Sequence, residues 1–188
     1  MSIAYVYIYD RLCDQEITLP DNILKHCFKK KIINKRLTSL SNYSKLKIKL
    51  KEHCNKDIAE LYFDNNKPKI DGINISLSHT DKYYGFIISI DNVGIDIESI
   101  INNDKLAKRI LNNSEYNEYL ANPIALTEKW CLIEAYYKIY GNMEIDETKF
   151  KNKTIYRLDD SILLAIGNYD EIKIFLNDGE ILWVDYLL

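Results

Sequence analysis

The sequence predicts an α+β fold, and three observations lead to this prediction. The chain has 188 residues, of which 47% are hydrophobic, segments with strand-like alternation lie near both ends and in the middle, and helical segments separate them. This order of strand, helices, strands, helices and strands is typical of an α+β protein. A chain of this length forms one compact unit or two small, closely packed halves.

The N-terminal third is predicted to contain one strand and two basic helices. Residues 3–9 alternate as a strand, and Asp21 is a candidate N-cap for a helix that runs to Lys31. A second, lysine-rich helix is predicted over residues 36–51, with leucines forming a partial apolar stripe. A short helical turn is expected after Asn55.

The middle of the chain is predicted to be rich in strands. The segment DNNKP at 64–68 is typical of a loop because of its asparagine and proline content. Residues 75–98 then indicate two or three strands, with turns at Asp81 and at 91–92.

The C-terminal part is predicted to be helical first and then extended. Helices are expected over residues 104–111, 114–120 and 125–140. Ser114 is expected to start the second helix, and Gly141 to end the third. Residues 154–187 alternate as strands, with a hairpin turn at the NDG segment 177–179.

Charge restricts the classes of partner. The formal net charge of −3 excludes a globally basic nucleic-acid binder. However, the segment from Lys25 to Lys51 holds ten Lys or Arg residues and no acid. Such a run indicates either a site for a polyphosphate or an acidic partner, or a solvated face of surface helices.

Cysteine spacing and hydropathy indicate a cytoplasmic protein. Cys13, Cys27, Cys54 and Cys131 lie far apart, without the spacing of a zinc site or a disulfide scaffold, and are expected to be reduced thiols. The apolar N-terminal segment is short and lacks a basic region before it, so it predicts a strand rather than a signal peptide. No apolar run is long enough to span a bilayer, and no membrane association is expected.

The segment VGIDIE at 93–98 places two carboxylates on one face of a predicted strand. Because side chains alternate along a strand, Asp96 and Glu98 point the same way. One interpretation is an ordinary exposed polar face. Gly94 favours another, since a glycine inside an apolar strand marks either a bulge or a place where another group comes close to the backbone.

The segment WCLIEAYYK at 130–138 adds a third carboxylate. Trp130, Glu134 and Lys138 recur every four residues, so they share one face of a helix. The pair Glu134 and Lys138 could be a surface ion pair. Together with Asp96 and Glu98, Glu134 could instead form an oxygen cage for Mg²⁺, whose other positions take water and phosphate.

The segment Ser78-His79-Thr80 lies where an apolar strand meets a turn, at a position where ligand sites often form. A histidine there can be purely structural. Beside bound phosphate it can donate hydrogen bonds, with charge assistance when protonated.

The motifs NNKP, SLSHT, VGIDIE, LAKRILNNSEY and WCLIEAYYK occur in this order over roughly residues 64–150. In this order and spacing the chain resembles the 4′-phosphopantetheinyl transferases of the two-halved Sfp type. The resemblance implies a pseudo-dimer of two similar packed α+β halves, residues 1–91 and 92–188, in a single compact unit. It also implies a monomer.

The resemblance implies a role for each matching residue. Asp96, Glu98 and Glu134 match the Mg²⁺ ligands, Lys138 matches a catalytic lysine that faces the pyrophosphate, and His79, with Ser78, matches a contact to coenzyme A phosphate. Lys67 and Pro68 match the loop that lines the nucleotide, although Asn66 stands where the family has glycine. Arg36, and less closely Lys29 to Lys31, resemble the residues that meet the 3′-phosphate. Ile133 replaces the first lysine of the helical motif.

The implied reaction is Mg²⁺-dependent transfer of 4′-phosphopantetheine from coenzyme A to a serine of an acyl or peptidyl carrier protein, which releases adenosine 3′,5′-bisphosphate. Glu134 is the candidate general base. Two alternatives remain open. Because Ile133 departs from the motif, the chain could be a weakened module that binds coenzyme A or a carrier. The same acids could also serve a Mg²⁺-dependent hydrolase acting on nucleotides.

Overall fold

The computed structural model describes residues 1–10 and 18–181. The helices are α1 (Asp21–Phe28), α2 (Ile33–Cys54), α3 (Asp104–Ile110), α4 (Asn113–Ala121) and α5 (Ile124–Tyr140). The strands are β1 (Ile3–Tyr9), β2 (Tyr62–Asp64), β3 (Lys67–Lys69), β4 (Asn74–His79), β5 (Tyr84–Ser89), β6 (Val93–Ser99), β7 (Asn152–Arg157), β8 (Ser161–Gly167), β9 (Glu171–Leu176) and β10 (Gly179–Ile181). Short 3₁₀ turns cover Ile58–Glu60 and Glu147–Lys149.

Two sheets and a separate hairpin make up the extended part of the fold. The larger sheet has the order β10-β9-β1-β5-β4, and the smaller has the order β6-β8-β7. β1 runs parallel to β9 and antiparallel to β5, with Tyr5 opposite Lys173 and Ile88. β2 and β3 form the hairpin. The prediction of an α+β fold is therefore confirmed.

Alternation along β1 divides the core into layers. Ala4, Val6 and Ile8 belong to a buried cluster that also contains Ile95 and Ile97 of β6, so the two sheets pack face to face there. On the other face of β1, tyrosine side chains pack with residues of α1 and α2. On the outer face of the smaller sheet, α5 packs against β8. The layers thus run from α2 through two sheets to α5.

Serine hydroxyls join the two sheets where β4 passes β6. The backbone N–H of Ile95 donates to Ser76 Oγ at 3.2 Å, and that of Ile97 donates to Ser78 Oγ at 3.1 Å. β6 is an edge strand of its sheet. These buried N–H groups therefore have no partner strand in that sheet on the side that faces β4. The serines supply the acceptors that buried backbone donors require.

The two hairpin turns share the same backbone conformation. Asn65 and Asn66 have φ of 49° and 64°, and Asn177 and Asp178 have φ of 51° and 66°. Asn and Asp tolerate this left-handed conformation, which tight two-residue turns require. The turn predicted at 177–179 is confirmed, whereas the segment at 64–68, predicted as a loop, instead forms part of the β2–β3 hairpin.

Several predicted helix ends are wrong by a few residues. Asp21 lies in the first turn of α1, after Pro20 at the cap position, and the helix ends at Phe28 rather than at Lys31. The cap of α4 is Asn112, whose side chain accepts from Glu115 N–H in a capping box, rather than Ser114. The stop of α5 at Gly141 is confirmed, with φ of 76° at the glycine.

The predicted division at residue 91 falls in the connection between β5 and β6, where the chain passes from one sheet to the other. β9 and β10 then return to the larger sheet. The two similar halves remain a prediction. Cys27, Cys54 and Cys131 are free thiols, while Cys13 and the end of the predicted C-terminal strands lie outside the described residues.

Within the described ranges, no helix combines the length and apolar character needed to cross a membrane.

Candidate functional site

The close packing of β6 against α5 brings the predicted site residues together. A Cβ atom built on Gly94 would lie 2.2 Å from the carbonyl oxygen of Ala135 and 2.9 Å from Ile139 Cγ1. Only glycine allows the helix to approach the strand this closely. Asp96 and Glu98 follow Gly94 on the same face of β6, and Glu134 precedes Ala135 on α5. The predicted close approach at Gly94 is confirmed.

The polar face of β6 is covered rather than exposed. Asp96 is only 4% exposed, and Glu98 is half-buried. Burial raises the pKa of Glu98 to about 7, with Asp96 and Glu134 adding to the rise. Burial also raises the pKa of Glu134, and Asp96 again adds to it. The three carboxylates therefore lie near enough to repel one another in a partly desolvated place.

Asp96 has one satisfied carboxylate oxygen and one that is not. Its Oδ1 accepts from Ser78 Oγ at 2.8 Å and from Lys138 Nζ at 2.7 Å. Its Oδ2 is buried and has no hydrogen-bond partner. Lys138 Nζ also donates to the carbonyl oxygen of Ile95 at 2.8 Å. A buried carboxylate oxygen without a partner is costly unless a ligand supplies one.

These features were tested against the Mg²⁺ that the resemblance implies. The donor chemistry fits, because carboxylate oxygens are the ligands Mg²⁺ prefers, and so do the orphaned Asp96 Oδ2 and the mutual repulsion of the acids. Among the described residues, however, no group of three or more His, Cys, Asp or Glu side chains is already spaced to hold a metal ion. The three acids thus supply the negative charge and the oxygen donors of a cation site. Their side chains are not already spaced around a single ion. The assignment of Asp96, Glu98 and Glu134 as ligands stays a prediction.

His79 lies at the end of β4, between two cavities. It lines a smaller cavity of about 260 Å³ and a wider groove of about 780 Å³. Burial lowers the pKa of His79, and Lys30, Lys35 and Lys138 lower it further, against an opposing effect of Asp96. A histidine held neutral by nearby cations gains a proton most readily when an anion binds among them.

The small cavity is bounded by the basic helices, the β2–β3 hairpin and β4. Lys67, Pro68, His79 and Lys138 line it, as the resemblance led us to expect for a nucleotide pocket. Of the three lysines predicted at the 3′-phosphate, Lys30 lines it. The remaining lining residues are His26, Ser39, Asn42, Tyr43, Asn66, Ile75, Ser76 and Leu77.

Arg36 lies behind the cavity rather than in its lining. Its guanidinium donates to the carbonyl oxygen of Lys30 at 3.1 Å and stacks over Phe28 at 4.9 Å, and its Nε is buried without a partner. Ser78 likewise directs its hydroxyl to Asp96. Contacts of Arg36 and Ser78 to coenzyme A remain predictions.

Sequence reasoning missed three residues of the cavity wall. His26 stacks on Phe63 with ring centroids 4.1 Å apart, and Tyr43 lies edge-on to the Phe63 ring at 6.0 Å. Asn42 is 4% exposed, and its Oδ1 has no partner. A signal existed in the sequence, because three serines and this asparagine interrupt the lysines of α2 on what proves to be its buried side.

The wide groove also reaches the acid cluster, at Glu98. Its walls are the start of α2, the turn after β4 and the end of β6. The lining residues are Asn34, Lys35, Leu37, Thr38, His79, Thr80, Asp81, Glu98 and Ser99. A second substrate entering this groove would meet His79 and Glu98 together.

Comparison with known proteins agrees with this geometry for part of the chain. No curated protein matches the sequence. The match to a family model covers the second sheet and α5, which carry the three carboxylates. It leaves the basic helices and, apart from Lys138, the wall of the small cavity unassigned. It does not distinguish types within the family, so the Sfp type stays a prediction. Residues 92–179 match the model of the 4′-phosphopantetheinyl transferase superfamily, a similarity that indicates a transferase of phosphopantetheine.

Proposed function

We propose that this chain transfers 4′-phosphopantetheine from coenzyme A to a serine of an acyl or peptidyl carrier protein, in a reaction that depends on Mg²⁺. The observation that supports the proposal is that Asp96 lies close enough to raise the pKa of both Glu98 and Glu134, beside a cavity lined by Lys30, Lys138 and His79. The family match over residues 92–179 supports the same reaction class.

The small cavity suits the nucleotide half of coenzyme A. Its wall combines aromatic and apolar side chains with Lys30 and Asn42, whose buried amide oxygen is unpartnered. A purine can stack on such a surface and donate to a free amide oxygen. Lys138 lies where this cavity meets the acid cluster, so a diphosphate extending from the nucleotide would reach Lys138 and His79 next.

The chain's own residues supply charge and a base. Lys138 and His79 would donate hydrogen bonds to diphosphate oxygens. The serine hydroxyl would attack the β-phosphorus, the bond from this phosphorus to the bridging oxygen would break, and adenosine 3′,5′-bisphosphate would leave with that oxygen. Glu134 would accept the serine proton.

Mg²⁺ held by Asp96, Glu98 and Glu134 would supply neutralisation of charge on the diphosphate when bound. Asp96 Oδ2, which is buried without a hydrogen-bond partner, would be an oxygen available to it.

The wide groove suits the carrier. Its rim at the start of α2 exposes Ile33 at 65% and Leu37 at 41%. The exposed Lys31 and Lys35 stand beside these apolar side chains, and no acid occurs between Lys25 and Lys51. An acidic partner with an apolar patch would match this rim in charge and polarity, and would place its serine near His79 and Glu98.

A weakened binding module is the second candidate. Lys138 already neutralises Asp96, and Ile133, in place of the motif lysine, is 8% exposed and cannot donate to phosphate. A chain that binds coenzyme A without turnover would show saturable binding and no transfer.

Intact-mass analysis of an apo carrier incubated with coenzyme A, Mg²⁺ and this chain tests the proposal. The carrier should gain the mass of phosphopantetheine, and Glu134→Gln or Asp96→Ala should abolish the gain. Glu128→Gln is the matched control, because Glu128 is a half-buried glutamate of the same helix that faces Arg157 at 3.9 Å instead. Wild-type rates in Glu134→Gln would refute the role of the acid cluster.

A further inference from the structure

Lys67 of the β2–β3 hairpin contacts the end of α5. Lys67 Nζ donates to the carbonyl oxygen of Tyr137 at 3.2 Å and to that of Lys138 at 3.1 Å. The ammonium also lies 5.2 Å from the centroid of the Tyr137 ring. The carbonyl oxygen of Tyr137 also accepts from Gly141 N–H at 2.9 Å, and the last carbonyls of a helix form the negative end of its dipole. Lys67 therefore acts as a cationic cap on α5.

This contact lies between the small cavity and the acid cluster. The hairpin contributes Asn66, Lys67 and Pro68 to the wall of the cavity. A ligand bound in the cavity would therefore contact the hairpin. On the other side, Lys138 belongs to the capped turn of α5, and its Nζ binds Asp96 Oδ1. A chain of direct contacts thus joins the cavity wall to the carboxylates.

The contacts of Lys67 favour a role in holding α5 over a role in binding phosphate. A lysine ammonium has three N–H groups, and two of those of Lys67 are directed at carbonyl oxygens of α5. Turning the side chain into the cavity would uncap the helix and give up the contact with the Tyr137 ring. The neighbouring lysine of the same strand, Lys69, behaves differently, because it pairs at the surface with Asp64.

We propose that Lys67 is a positioning residue that couples the small cavity to the cation site by holding the last turn of α5, and that it is not a phosphate ligand. The inference rests on the proposed function, since it takes the cavity as the nucleotide pocket and the acids as the cation site. A ligand that braces the hairpin should then strengthen cation binding, and the cation should strengthen ligand binding by the same factor.

Calorimetric titration of the full chain tests this coupling without a carrier. The probes are Mg²⁺ alone and adenosine 3′-monophosphate, which has no 5′-phosphate for the metal to grip. In the wild type, saturating nucleotide should raise the affinity for Mg²⁺ by about 5-fold or more, within the usual range of coupling between sites. Lys67→Met should keep the nucleotide affinity within about twofold, weaken Mg²⁺ binding and abolish the coupling.

Two further variants separate positioning from charge and from folding. Lys67→Arg keeps a cationic donor and should restore most of the coupling. Lys69→Met removes a charge from the same strand without touching α5, and should behave as the wild type. In steady-state transfer at saturating Mg²⁺, Lys67→Met should lower kcat and raise KM for coenzyme A by no more than the coupling factor that is lost.

Weaker nucleotide binding in Lys67→Met, with unchanged Mg²⁺ affinity, would identify a phosphate ligand and overturn the inference. Failure of the wild type to bind the nucleotide, or to show coupling, would also overturn it. If the wild type shows coupling but modifies no carrier, the proposed transfer fails while the positioning role stands.

Discussion

Replacement of Gly94 by alanine should move strand β6 away from helix α5. The new Cβ would lie 2.2 Å from the carbonyl oxygen of Ala135, whereas real Cβ atoms essentially never come under 3.0 Å. Strand and helix must therefore move apart by at least about 0.8 Å. The shortest contact is with a backbone atom, so no movement of a flexible side chain can relieve that overlap.

This movement has a thermodynamic and a chemical consequence. Overpacking of this kind costs about 1–3 kcal/mol, and each kcal/mol lowers the Tm of a protein of this size by about 2–4 °C. Glu134 moves away from Asp96 and Glu98 at the same time. A displacement of about 1 Å at a reaction centre can cost about 10²-fold in rate, so carrier modification should fall far more than the loss of stability explains.

Gly167→Ala is the matched control. A Cβ there would lie 2.6 Å from the carbonyl oxygen of Asn92, which is also backbone, but it does not face α5. Thermal unfolding should show similar losses for both variants, and intact-mass rates, measured well below Tm, should fall mainly for Gly94→Ala. If the two variants lost rate in the same proportion, the spacing of β6 and α5 would not be what sets the activity.

Three other outcomes are expected. The folded-state pKa of Glu98, about 7, lies above its ordinary 4.5, so Glu98 contributes stability that is present below pH 4.5 and is lost as the pH rises towards 7. In metal-free buffer the Tm of the wild type should fall as the pH rises from 4.5 to about 7, and the Tm of Glu98→Gln should fall less. The increase in Tm on adding Mg²⁺ should grow with pH over the same range. Ile133→Lys places an ammonium at a position that is 8% exposed, so it should cost about 1–3 kcal/mol in a denaturant titration, and an unchanged midpoint would contradict the burial. Raising ionic strength to about 0.5 M should raise KM for the carrier, because salt screens the attraction between the lysines of the groove and an acidic carrier. Lys35→Gln should likewise raise KM for the carrier at low salt. A salt-independent KM would argue against charge steering at the groove.

Local patterns were sufficient to predict which side chains share a face of β6 and which share a face of α5. Alternation along β6 places Asp96 and Glu98 together, and the four-residue spacing on α5 places Glu134 and Lys138 together, because both periods are properties of the backbone. Gly94 was the residue that indicated close contact, since a missing side chain inside a strand has a steric meaning. The stop at Gly141 was predictable for the same kind of local reason.

The hydrogen-bond partners of individual side chains were not predictable from the sequence. The sequence shows Lys67 only as a lysine after two asparagines, and the family resemblance assigns it to the nucleotide. The structure instead places its ammonium on carbonyl oxygens about 70 residues away in the chain. Likewise the hydroxyl of Ser78 goes to Asp96. Such contacts depend on how sheets and helices stack, which no local period encodes.

The amino-acid sequence by itself therefore determined which residue types share a face, where α5 ends and how much charge the basic helices carry, because these follow from backbone geometry and composition. Only the tertiary structure decided that Asp96 Oδ2 is buried without a partner, that β9 returns to the sheet of β1, and that α2 contributes a polar wall to the cavity. The physical reason is that burial and hydrogen-bond partners arise from long-range packing, in which segments far apart in the chain compete for the same surface and the same donors.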